Sequence, residues 1–96
     1  MNRDKILQCL AEHREELAGF GVKSLALFGS VVRGEAGPDS DLDFLVEFEG
    51  PATFDQYMNL KFFLEELLGR SVDLVTRKAL KPRLKPRVER EAVYVP

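Results

Sequence analysis

Asp41 and Asp43 stand two residues apart in SDLDFLVEF, and ten residues separate them from Gly29-Ser30. From Ser40 to Phe48 the apolar residues alternate, so Leu42, Phe44, Val46 and Phe48 share one strand face and the two acids share the other. Their backbone positions then lie about 6.6 Å apart. At an effective dielectric near 20 two full charges at that spacing repel by about 2.5 kcal/mol. A divalent cation between them would offset that repulsion. Carboxylate oxygens favour a hard ion, and a site that also takes phosphates favours magnesium, which keeps waters and bridges carboxylates to phosphate oxygens.

The Gly29-Ser30 pair supplies the phosphate side. Leu25 to Phe28 is a short apolar run ending at Gly29, the pattern of a buried strand. Gly29 lets the backbone turn sharply and approach a ligand, and Ser30 is placed to cap a short helical turn over Val31 to Arg33 that Gly34 breaks. Such a start presents amide donors and partial positive charge to a triphosphate tail. Alone, the turn reads more readily as an ordinary strand-to-helix connection, since capping serines are common in any fold, and the alternative for the acids is a solvated edge strand. Together they point to a metal and nucleotide site.

The wording GSVVRGEAGPDSDLDFLVEF, with its Gly-Ser pair and Asp-x-Asp, resembles the DNA polymerase β-like nucleotidyltransferase superfamily. Within it, nearly the whole chain is similar to the minimal nucleotidyltransferases, the MNT-domain antitoxins of HEPN-domain ribonucleases. Arg33, Gly34, Ser40 and Asp73 also fall where that pattern has them, whereas Gly37 stands where many members carry a basic residue. The resemblance implies a small α/β nucleotidyltransferase core. It implies transfer of AMP from ATP to a hydroxyl, a tyrosine, of a HEPN toxin held in a hetero-oligomer. Gly29, Ser30, Arg33 and Ser40 would bind the nucleotide. Asp41, Asp43 and Asp73 would hold two magnesium ions, with Asp73 also able to accept the proton of the attacking hydroxyl. No direct DNA binding is expected of the core.

The remaining elements must position these groups. Asp4 to Phe20 carries apolar residues at helical spacing and ends at Gly19 and Gly21. Its His13 reads as a surface residue without a catalytic partner. Thr53 and Gln56 form a capping-box signature for a helix to Leu68, with Phe54, Tyr57, Leu60, Leu64 and Leu67 as its apolar stripe; Phe62, on the flank, is expected to pack in the core, and would offer a partner an apolar contact if exposed. Ser71 to Thr76 predicts a strand with Val72 and Leu74 on one face and Asp73 on the other. If that strand lies beside the one bearing Asp43, the third carboxylate joins the first two. A short helix from about Leu84 and a last strand at Val93 to Val95 complete the expectation. The fold class is α/β: a small mixed sheet of strands near 22–28, 41–48 and 72–76, backed by helices at 4–20 and 54–68.

Ninety-six residues that are 45% hydrophobic suit one domain spanning 1–96, marginal without a partner. The single cysteine, Cys9, reads as core and excludes an internal disulfide; with no apolar segment of signal or membrane length, a cytoplasmic protein is expected. The net charge of −2 hides an uneven distribution, because seven of the fourteen basic residues fall in the last twenty positions with only Glu89 and Glu91 against them. The cluster Lys81, Arg83, Lys85 and Arg87 can meet phosphates or an acidic partner, or remain solvated. A chain of this length leaves no room for an acceptor-binding domain, so the acceptor surface is expected from another chain. Two other readings stay open: a module that blocks its toxin by binding alone, and the catalytic subunit of a split small-molecule transferase.

Overall fold

The computed structural model describes residues 2–96. Helix α1 (Arg3–Glu12) begins where the Asn2 side chain accepts the Lys5 amide at 2.9 Å. It stops at His13, whose amide donates to the Leu10 carbonyl and whose Nδ1 lies 2.8 Å from the Cys9 carbonyl oxygen. Helix α2 (Arg14–Gly19) then resumes. The single helix expected over 4–20 is therefore two, because the tightened turn at His13 takes up carbonyls that a continuous helix would use four residues on. His13 is half-buried and meets Phe63 edge-on, a structural role. Cys9 is half-buried and packs against the core.

Strand β1 (Val22–Phe28) pairs antiparallel with β2 (Leu42–Phe48). Helix α3 (Phe54–Leu68) then carries the chain across to β3 (Val72–Thr76), which runs parallel to β2. A 3-10 turn (Arg77–Ala79), helix α4 (Lys85–Glu91) and the two-residue strand β4 (Val93–Tyr94) follow, and β4 pairs with β1. The sheet order is β3-β2-β1-β4. Sequence chemistry fixes α3 at both ends. Thr53 and Gln56 form the reciprocal capping box, and Gly69 closes the helix in the left-handed conformation at φ 65°.

The two sheet faces differ. On one, Ile6, Leu10 and Leu17 of α1 and α2, with Leu60, Leu64 and Leu68 of α3, bury Leu25, Leu27, Leu42, Phe44, Val46, Val72 and Leu74. On the other, Val88 of α4 packs on Ala26 and Leu45. Leu45 thus sits on the same face as Asp43, which explains why Phe44-Leu45-Val46 is apolar without interruption. Phe54 departs from the expected stripe: at the first position of α3 it is 75% exposed. Phe62, expected to pack in the core from the flank of the helix, is instead exposed.

Side chains of α3 cover the outer edge of β3. Glu65 accepts the Val72 amide at 3.0 Å, and the Tyr57 hydroxyl donates to the Leu74 carbonyl. Among the described residues no helix is long and apolar enough to cross a membrane.

Candidate active site

Strand pairing sets the site. Phe28 lies opposite Asp43 across β1 and β2, and Asp43 lies opposite Asp73 across β2 and β3. Gly29 follows Phe28 directly, so the turn and both acids form one row across three neighbouring strands spaced about 4.8 Å apart. The approach of Gly29 to Asp43 is closer than any other residue would permit. Gly29 has φ 79°, and a Cβ placed there would stand 2.1 Å from Asp43 Oδ2. Only glycine satisfies both the conformation and the contact.

Asp43 is half-buried, and its carboxyl is pushed up to about 6, first by burial and then by the charges of Asp73 and Asp41; Arg33 opposes the shift and Glu91 adds to it. Asp41 is exposed one residue before β2, near enough for its charge to act on Asp43. Asp73 is exposed on the face it shares with Asp43. Among the described residues, no group of three or more His, Cys, Asp or Glu side chains is arranged to hold a metal ion by itself. The protein side is a registered pair, Asp43 and Asp73, with Asp41 flanking it. Magnesium is commonly held by one or two carboxylates together with phosphates and waters, so this all-oxygen, negatively loaded donor set fits the ion.

The segment after Gly29 is a succession of hydrogen-bonded turns without a regular helix. The Val32 and Arg33 amides donate to the Gly29 carbonyl, and Glu35 donates to Ser30. Gly34, at φ 75°, ends it after a single turn. The expected helix cap at Ser30 is therefore absent, and what the turn presents is individual amides and the Ser30 hydroxyl, without a helix dipole behind them. Ser40 shapes the connecting loop: its hydroxyl accepts the Gly37 amide at 2.9 Å. Arg70 pins the same loop by donating to the Gly37 and Ser40 carbonyls.

Glu91, at the end of α4, was not distinguished by the sequence as a site residue. Its Oε2 accepts the Gly29 amide at 2.8 Å, and Arg33 Nη1 donates to its two oxygens at 2.9 and 3.0 Å. Arg33 also donates from Nε to Glu35 at 2.9 Å. The bonds to Glu35 and Glu91 raise the guanidinium further above its ordinary value. Burial by itself would raise the Glu91 carboxyl, but the bonds from Arg33 and the Gly29 amide outweigh it and hold the group below the usual carboxylate range. Glu91 and Gly29 are 62 positions apart, so no local pattern could have revealed the contact.

A groove of about 920 Å3 opens at the other end of β2, among Val46, Phe48, Phe54 and Tyr57, and includes none of these site residues.

Known proteins resemble this arrangement over almost the whole chain. The nucleotidyltransferase domain family matches residues 4–95. The protein adenylyltransferase MntA of Thermococcus cleftensis is 45% identical over 93 residues, covering 96% of this chain and 94% of its own. A solved structure provisionally assigned to the minimal nucleotidyltransferases is also 45% identical, with TM-score 0.81 over 97% of this chain and 95% of that one. At 20% identity the fold recurs, with TM-score 0.60 over 90% of this chain and 69% of the other, in a structure of the tri-AMPylated HEPN toxin of Shewanella oneidensis with its MNT antitoxin. With Gly29 against Asp43 and Asp43 beside Asp73, in a four-stranded mixed sheet matched from end to end, the chain belongs to the nucleotidyltransferase domain family, among its minimal members.

Proposed function

We propose that this chain is an antitoxin that moves AMP from ATP, with magnesium, to a tyrosine hydroxyl of a cognate HEPN-domain ribonuclease, and so silences it. The observation that carries the reading is the contact of Gly29 with the Asp43 carboxylate, in register with Asp73, because it brings a phosphate-gripping turn and a cation site to one point. The names of the relatives supply the acceptor and the nucleotide by analogy.

In this reading the Gly29 and Ser30 turn binds the β- and γ-phosphates, and Arg33 adds charge-assisted bonds to the same tail. Asp41 and Asp43 would hold a magnesium ion, and Asp73 would complete a second position. When bound, the metal withdraws charge from the phosphoryl oxygens and the departing group. The tyrosine oxygen attacks the α-phosphorus, forming the new phosphodiester bond as the bond to the β-phosphate oxygen breaks and pyrophosphate leaves. Asp73, exposed beside Asp43, takes the tyrosine proton. Ser40 acts by holding the loop that delivers Asp41.

Incubation of the chain with labelled ATP, magnesium and the HEPN protein tests this directly. The partner is expected to gain the mass of AMP in whole units and to lose RNA cleavage. Asp43→Asn and Asp41→Ala are each expected to abolish the transfer in folded protein. Complex formation without a mass gain, or turnover retained in either variant, refutes the catalytic assignment.

A further inference from the structure

The turn read as the phosphate grip already holds an anion that belongs to the protein. The Glu91 carboxylate takes the Gly29 amide and the Arg33 guanidinium, the same two donors assigned to the triphosphate, through three hydrogen bonds of 2.8 to 3.0 Å. Its side chain is only 16% exposed, so it is packed into the turn. The carboxylate is delivered by a defined element. Val88, one helical turn earlier on α4, is anchored on Ala26 and Leu45, and Ala92 packs beside it before β4 joins β1. Glu91 also adds negative charge near Asp43, which already faces Asp73 and Asp41. A polyphosphate entering this row would meet that charge and would find its donors taken.

We propose that Glu91 is a built-in substitute for nucleotide phosphate, a side chain that must leave Gly29 and Arg33 before the triphosphate can use them. The inference rests on the nucleotide reading of the site. Linkage then requires that whatever loosens the end of α4 strengthens nucleotide binding, and that bound nucleotide loosens α4. The alternative is that Glu91 is a permanent brace that orients Arg33 for phosphate. The two make opposite predictions, because removing a competitor tightens binding whereas removing a brace weakens it.

The test is calorimetric titration of magnesium with AMP-PNP, a non-transferring ATP analogue, into the wild type, Glu91→Gln and Glu91→Asp. Glu91→Gln keeps an acceptor for the Gly29 amide and the shape of the turn but removes the charge. Charge-assisted hydrogen bonds are roughly twice as strong as neutral ones, so its affinity is expected to rise on the order of tenfold. Glu91→Asp keeps the charge on a side chain too short to reach both donors, and a smaller gain is expected. In the wild type the Gly29 amide resonance, followed by 15N NMR, should shift as the nucleotide replaces the carboxylate. Glu91→Gln binding equally or more weakly than a wild type that does bind overturns the proposal and leaves the nucleotide reading intact. Absence of binding in all three folded proteins overturns both.

Discussion

Asp43→Asn should stabilise the protein as it destroys the activity. The Asp43 carboxyl sits at about 6 against an ordinary 3.8, a difference of about two units, each worth about 1.4 kcal/mol. The gross figure of about 3 kcal/mol is reduced by the water that still reaches a half-buried carboxylate, which leaves about 1–2 kcal/mol. The folded-state value is raised, so the folded chain binds this proton more tightly than the unfolded chain. The associated stability is present in full below the unfolded value and is lost as pH rises through about 6. Above that point the wild type carries a charge that is partly buried and also faces Asp73 and Asp41, and Asn removes it without changing shape. Urea denaturation in chelator is the assay. At about pH 7.5 the variant should exceed the wild type by about 1–2 kcal/mol, and at about pH 4 the advantage should shrink to a few tenths. Added magnesium should raise the wild type's midpoint and leave the variant's unchanged. A variant that is less stable than the wild type, or whose advantage is the same at both pH values, refutes the account of Asp43 as a carboxylate held against its own electrostatics.

Gly29→Ala combines a left-handed backbone penalty of about 1–2 kcal/mol with a collision against Asp43, so equilibrium unfolding should show a larger loss than either effect alone. Adding Asp43→Ala should recover the collision part only, a non-additivity that a double-mutant cycle measures. Phe54→Ser should change stability by less than about 0.5 kcal/mol, whereas Leu64→Ala should lose about 2–5 kcal/mol, a contrast read from denaturation midpoints. Thr53→Ala removes one half of the capping box of α3 and should lose about 1 kcal/mol by the same measurement.

Local chemistry made several elements legible. Strand β1 ends where Gly29 interrupts an apolar run, and α3 runs from its capping box to a left-handed glycine, so both coincide with the expected bounds. The alternation in β2 and β3 placed Asp43 and Asp73 on the correct faces, and the registered pairing of the two follows from it. Other features depended on competition that sequence spacing does not express. The break at His13 comes without glycine or proline, from a side chain that engages the Cys9 carbonyl. The Ser30 segment has the composition of a helix start, yet Gly34 ends it before a second turn forms. Phe54 is expected in the stripe of α3, but at the first position of that helix it stays exposed, lining the groove with Val46 and Phe48 and not buried in the core. Glu91 belongs to a basic stretch in which a short helix is expected from about Leu84, and the packing of Val88 on Leu45 carries that helix to the Gly29 turn.

The α3 side chains that cover β3 have a consequence for how this chain meets others. With the Val72 amide bonded to Glu65 and the Leu74 carbonyl to Tyr57, an incoming peptide cannot extend the sheet there without first stripping those bonds away. Pairing through that edge is thereby disfavoured, and one copy of this molecule is protected from zipping onto another.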